Sequence, residues 1–204
     1  MSSDHFEIHE DRIAYKGFIR LRQLQLRHRM FAGGWSAPVD REIAYNGTAV
    51  AVAVLPFDPN RQEVVLVEQF RTAAIDGGLS PWLIEPVAGL MERGESASDV
   101  AFRELREESG LEAQDLEPCG SGYASPGCFA EFVHFFIARV GTETAGGLHG
   151  LDHEQEDIRT HVVSVERAAD WLASGKISSL PGIVLLQALL LRRADLTERW
   201  SGTA

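Results

Sequence analysis

The stretch that decides the fold is Gly89-Leu90-Met91-Glu92-Arg93-Gly94-Glu95-Ser96-Ala97-Ser98-Asp99-Val100-Ala101-Phe102-Arg103-Glu104-Leu105-Arg106-Glu107-Glu108-Ser109-Gly110-Leu111. Its second half reads as a helix marked at both ends. Ser96 followed by Asp99 resembles a capping box with Asp in place of Glu, and Gly110 suits the left-handed conformation that stops a helix. Ala97, Ala101 and Leu105 recur every fourth residue and give the helix a face to bury. Glu104 and Glu108 share another side, with Glu107 a helical neighbour of Glu104. Like charges so placed repel unless a cation stands between them, and Mg²⁺ prefers carboxylate oxygens, water and phosphates. Gly89 and Gly94 read as a turn that lets backbone and ligand approach closely before the helix.

Outward from this segment, the chain reads as a mixture of strands and helices. Apolar positions alternate over residues 12–45, with Gly33-Gly34 as a turn, which suggests a small antiparallel β unit. Residues 49–55 and 64–67 read as core strands flanking the turn Pro56-Phe57-Asp58-Pro59-Asn60. Asp76-Gly77-Gly78-Leu79-Ser80-Pro81 reads as a loop before a strand at Trp82-Leu83-Ile84, and residues 132–140 as a further strand. Two helices close the chain, over residues 165–174 and 181–200, with Pro181 placed where a missing N–H costs nothing. The expected division is a β unit over residues 1–47 and a main domain over residues 48–204.

Composition narrows the chemistry. Acidic residues outnumber basic ones 30 to 19, a net charge of −11 that repels a phosphate backbone and argues against nucleic acid as partner. It is compatible with a small phosphorylated substrate bridged to carboxylates by metal ions. The apolar run Gly182–Leu191 is well short of the ~20 residues that span a bilayer, so no membrane partner is expected and the run reads as a buried helix. The N-terminus lacks a signal-peptide pattern, and Cys119 and Cys128 have no zinc or redox spacing, which together point to the cytoplasm. His149 and His153 are four apart without a third soft ligand, and read as loop residues; Trp171 and Trp200 read as packing residues.

The quoted run matches every defined position of the Nudix box, and the chain resembles the Nudix hydrolases, in particular their ADP-ribose pyrophosphatase branch. Pro126, the lead-in Glu85-Pro86-Val87-Ala88-Gly89 and the acidic stretch Leu151-Asp152-His153-Glu154-Gln155-Glu156-Asp157-Ile158 carry the resemblance to that branch, with the lead-in proline displaced by one. The resemblance implies an α/β/α sandwich with a mixed sheet, plus the small N-terminal β unit. It implies that Glu104, Glu108 and the carbonyl of Ala88 bind Mg²⁺ or Mn²⁺, with Glu107 a further ligand or an orienting carboxylate. Arg103 and Glu95 would tie the loop together by ion pairing. Glu154 would serve as general base and Glu156 as a further metal ligand, and these two assignments are exchangeable. Arg71 matches an arginine that reaches the substrate, or is a surface arginine at a strand end. The branch further implies a homodimer in which the N-terminal units are exchanged. Phe31 and Trp35 would then stack on adenine, or pack at the subunit interface.

The activity so implied is attack of metal-activated water on the diphosphate of ADP-ribose, giving AMP and ribose 5-phosphate. GDP-mannose or another nucleoside diphosphate sugar is the alternative substrate. A non-catalytic module that senses ADP-ribose is the alternative of another class, and the intact glutamates of the box weigh against it.

Overall fold

In the computed structural model the described residues are 3–78, 80–151 and 155–201. They divide into two compact units, Met1–Val50 with Tyr123–Phe132, and Ala51–Gly122 with Val133–Ala204.

In the first unit three strands form an antiparallel meander: β1 (Phe6–Lys16), β2 (Arg20–His28) and β3 (Val39–Tyr45). Its hairpin register pairs Leu24 with Asp11 on one side and with Arg41 on the other, and Leu24 is the buried residue at its middle. β1 begins at Phe6, earlier than the alternation over residues 12–45 indicates, because its outer positions are polar and exposed. A parallel pairing within this unit joins Ala44 to Phe129, at the start of β9 (Phe129–Arg139).

The second unit holds all but the first residue of β4 (Val50–Asp58), β5 (Glu63–Phe70), β6 (Trp82–Glu85), β7 (Val87–Leu90), β8 (Asp115–Ser125) as far as Gly122, β9 from Val133, β10 (Gly147–His149) and β11 (Ile158–Ser164). Strand order is β9-β4-β5-β11-β10, with β6 beside β5, β7 beside β4 and β8 beside β9. Helix α1 (Ala97–Ser109) covers one face: Val100, Ala101 and Leu105 pack with Val52, Val54, Val65, Val67 and Ile158. Successive strand residues point to opposite faces, so the fully buried Val64 and Leu66 face the other side. There α2 (Val165–Ala173) lies against β5 and β11, and α3 (Leu180–Trp200) against α2 and β6. Helices on both faces of a mixed sheet make this the expected α/β sandwich.

Local chemistry explains where the elements start and stop. Ser96 Oγ accepts from the Asp99 N–H at 3.2 Å while the Asp99 carboxylate accepts from the Ser96 N–H at 3.2 Å, closing the capping box, and Gly110 ends α1 at φ 68°. Ser164 and Ser179 cap α2 and α3, with Pro181 in the first turn. The apolar run of residues 182–191 lies in α3, where Leu185, Leu186 and Leu189 are buried; among the described residues no helix is long and apolar enough to cross a membrane. Trp171 is buried in α2, and Trp200 is buried with its indole N–H donating to Asp115 at 3.0 Å.

Two readings of the sequence need correction. Pro56 and Phe57 do not turn: β4 continues to Asp58, and the reversal is at residues 58–62. Phe57 is fully buried, and Pro56 falls between the residues paired with β7 (51–54) and those paired with β5 (57–58), where its missing N–H is tolerated. Asp58 is the organiser of the actual turn, its carboxylate accepting from the N–H groups of Asn60 and Arg61 at 2.9 and 3.0 Å. Gln62 fastens the same turn: its amide donates to Pro59 O and Thr197 Oγ1, and its Oε1 and backbone carbonyl accept from Arg193 and from the Val165 N–H. Finally, Gly89 belongs to strand β7, opposite Val52, and is not part of a turn with Gly94.

Candidate active site

The candidate site is built in the second unit, where β5 and β7 lie against α1. Val65, Val67 and Gln69 alternate on the face of β5 that meets α1, and the pairing Val67↔Glu85 puts Glu85 of β6 on that face too. Polar residues therefore replace the apolar ones where the strands run out. Gln69 and Glu85 are each only 9% exposed and Glu108 only 3%.

From the other side α1 contributes its three glutamates. Glu108 Oε2 accepts from the Ala88 N–H at 3.0 Å, which joins the helix to β7. Burial, the main cause, raises the Glu108 carboxyl to about 8, and the charges of Glu104 and Glu156 add to the effect; the Ala88 N–H and Arg71 only partly offset it. Glu104 is raised as well, first by burial and also by Glu107 and Glu156, against the pull of Arg103. Gly89 allows this arrangement, since a Cβ there would collide with the Glu104 carboxylate. The close approach that the glycine serves is thus to a helix side chain.

Arg103 is the internal counter-charge. Its guanidinium donates to Glu104 at 2.6 Å, Glu107 at 3.2 Å, Glu95 at 3.1 Å and the Leu90 carbonyl at 3.3 Å. Glu95 in turn accepts from the Glu92 N–H at 2.8 Å, and its carboxyl is held below the usual range chiefly by Arg103. The pair ties the loop to the helix, as the sequence suggests.

Glu156 faces this group from the segment before β11. Its carboxylate accepts from Gln69 Nε2 at 3.4 Å and from the Leu151 N–H at 3.3 Å, while the Gly150 N–H donates to the Glu107 carbonyl at 3.4 Å. Arg71 donates to Glu85 at 2.6 Å beside the same cluster. The proposed base Glu154, with Asp152 and His153, lies outside the described residues. His149 ends β10 and its ring contacts the Gly146 carbonyl at 3.0 Å.

Among the described residues no group of three His, Cys, Asp or Glu side chains stands in a metal-holding arrangement, and the cation nearest Glu104 and Glu107 is Arg103. The donors nevertheless suit a hard divalent ion. They are carboxylate oxygens, gathered with one nearly buried member whose charged form the Arg71 guanidinium favours only in part.

Phe31 and Trp35 lie in the first unit. Phe31 is fully exposed, whereas the guanidinium carbons of Arg27 and Arg29 lie 4.9 and 4.2 Å from the centre of the Trp35 ring. Gln69 and Glu85 are the members of the cluster that the sequence reading missed. The signal was the polar Glu68-Gln69 interrupting an apolar strand, but only the strand register puts them beside α1.

Fold and site together are those of a hydrolase built around the carboxylates of one helix. The family follows directly: a NUDIX domain model matches residues 47–181, and the chain belongs to that family. It is 41% identical over 202 residues to the ADP-ribose pyrophosphatase of Haemophilus influenzae, with 98% of this chain and 92% of the relative covered. It is 46% identical over 187 residues to the ADP-ribose pyrophosphatase of Escherichia coli (strain K12), covering 92% of this chain and 88% of that one. A solved structure of an ADP compounds hydrolase superposes with a TM-score of 0.70 at 19% identity, covering 98% of both chains, which supports the fold.

Proposed function

We propose that this protein is a Mg²⁺-dependent pyrophosphohydrolase that cleaves ADP-ribose to AMP and ribose 5-phosphate. The observation that carries the reading is the cluster of Glu104, Glu107, Glu108 and Glu156, crowded around a nearly buried carboxylate that resists ionisation by itself. Two relatives named ADP-ribose pyrophosphatases, similar over nearly the whole chain, support the choice of substrate.

Glu104, Glu108, Glu156 and the Ala88 carbonyl would hold the divalent ion, with Glu107 beside them as ligand or orienting group. The bound ion, Mg²⁺ or Mn²⁺, would supply Lewis-acid activation of water and neutralise charge on the diphosphate oxygens. Glu154 would take the proton of the attacking water, a role it could exchange with Glu156. Arg71 would bind the substrate's diphosphate, with Glu85 fixing its guanidinium until substrate arrives. The leaving group is a phosphate monoester, so the products are AMP and ribose 5-phosphate.

The N-terminal β unit would serve a homodimer, in which Phe31 and Trp35 stack on adenine or pack between subunits. A cytoplasmic setting suits both free cysteines, Cys119 and Cys128. Nucleic acid is disfavoured as partner by the net charge of −11.

The test is AMP release from ADP-ribose by purified protein with Mg²⁺, beside GDP-mannose and NADH, with EDTA and Glu108→Gln as controls. Fastest turnover of ADP-ribose, lost in both controls, is the expected result. Preference for GDP-mannose would overturn the substrate, and binding of ADP-ribose without turnover would favour a sensor.

A further inference from the structure

Gln69 is a buried polar residue in a row of valines. Val65 and Val67 on the same face of β5 are packed against α1, so an apolar residue would be the ordinary occupant of the next position. Gln69 is instead 9% exposed, its Nε2 donating to Glu156 Oε1 at 3.4 Å, while its Oε1 is buried with no hydrogen-bond partner. A buried amide oxygen left unpaired has lost its hydration without replacement, a cost that an apolar side chain would avoid. A cleft of about 450 Å³ opens beside it, lined by Gln69, Phe70, Trp82, Gln155, Glu156 and Asp157.

Glu156 needs such a holder. It belongs to no strand or helix, and Gln155 before it has φ 56°, so the backbone around it is turned without ladder support. Among the described residues, its carboxylate is held by the Leu151 N–H on Oε2 and the Gln69 amide on Oε1. Leu151 lies only five positions from Glu156 and outside any strand, whereas Gln69 is anchored in β5, where it pairs with Leu83 of β6. Gln69 is therefore the contact that refers Glu156 to the rigid sheet, and through the sheet to α1.

We propose that Gln69 is a positioning residue for the reaction: its amide nitrogen locks the Glu156 carboxylate towards Glu104 and Glu108, and its free Oε1 is an acceptor for a water of the hydrated cation. This rests on the metal-dependent reading above. A partner of this kind, acting on a ligand from behind, typically governs affinity or rate by about 10–100-fold.

The test is a double-mutant cycle on the full-length protein with Gln69→Met, which keeps the volume and removes the amide, and Glu156→Gln. Mn²⁺ affinity is measured without substrate by electron paramagnetic resonance of the free ion, beside kcat, KM and the melting temperature. Gln69→Met is expected to weaken Mn²⁺ about tenfold and lower kcat by a similar factor, with KM for ADP-ribose changed less than about threefold and the melting temperature unchanged or raised, because the unpaired buried oxygen is gone. In the Glu156→Gln background the same substitution should change little, because the two residues act as one unit. Wild-type Mn²⁺ affinity in Gln69→Met, or full additivity in the cycle, overturns the proposal while leaving the hydrolase reading intact. Should Gln69→Met fold poorly, Gln69→Asn, one methylene too short to reach Glu156, must show the same loss of Mn²⁺ affinity, and wild-type affinity there also overturns it. If the wild type binds Mn²⁺ and the cycle is non-additive but ADP-ribose is not cleaved, the positioning role stands and the substrate reading falls.

Discussion

Replacing Asp58 by alanine should destabilise the protein by about 3 kcal/mol without touching the site. Asp58 is 1% exposed, and its carboxylate accepts from the N–H groups of Asn60, Arg61 and Thr142 and from the Thr142 hydroxyl, all between 2.9 and 3.0 Å. Thr142 is itself buried, so its N–H would lose a charge-assisted bond with no water to replace it, a loss of about 1.5–3 kcal/mol. Asn60 and Arg61 are exposed and their N–H groups can turn to solvent, so each adds only about 0.5–1 kcal/mol. Urea denaturation should report the sum, and for a chain of this size the melting temperature should fall by roughly 6–12 °C. Burial acts to raise the Asp58 carboxyl, but the hydrogen bonds from Arg61, Thr142 and Asn60 outweigh it and hold the group below its ordinary value. A carboxyl depressed in the folded state stabilises fully above its unfolded value of about 3.9, and that stability is lost as pH falls through the folded value. The difference between wild type and Asp58→Asn should therefore be constant from pH 8 to about 5 and shrink below about 4. An alanine variant within 1 kcal/mol of wild type, or a difference from Asp58→Asn that persists unchanged to pH 3, would refute this account of the turn.

Other substitutions separate stability from chemistry. Glu108→Gln keeps an acceptor for the Ala88 N–H and removes a buried ionisable group, so melting should be unchanged or raised while kcat falls by at least about 100-fold; a destabilised variant would assign Glu108 a structural role. Gly89→Ala drives a Cβ into the Glu104 carboxylate, and should cost about 1–3 kcal/mol and displace that side chain, read by calorimetry and kcat together. A stabilised Ala variant would show that Glu104 is not seated there. Ser96→Ala opens the capping box and should lower stability by about 1 kcal/mol in urea, with kcat altered far less than by Glu108→Gln.

Helix α1 was legible because its signals are local: a cap, a stop and an apolar row lie within one short stretch, and the structure places each where the spacing requires. The strands were harder. Pro56 carries a turn-former's chemistry, but whether a missing N–H matters depends on which neighbours pair with that residue, and pairing is not local. Strand β7 was hidden for the same reason, since Gly89 looks like a turn until Val52 is set opposite it. β8 was not anticipated at all, with Pro118, Gly120 and Gly122 breaking its alternation; its support comes from β9 and from Arg192 and Arg199 of α3, which reach Glu117. Within the site, the box glutamates declare themselves by helical spacing. Gln69, Glu85 and Arg71 become a group only through the register of β5 on β6.

The fastening of Gln62 has a consequence for engineering. A short reversal between two antiparallel strands is ordinarily the place to splice in a tag, a reporter or new termini. Here one glutamine in that reversal is bonded to α3 through Thr197 and Arg193 and to the first residue of α2, so the hairpin is a rivet between sheet and helices. Grafts between Asp58 and Glu63 should pull that rivet. The exposed turn at Glu143 and Thr144, ahead of β10, is the more permissive place to lengthen the chain.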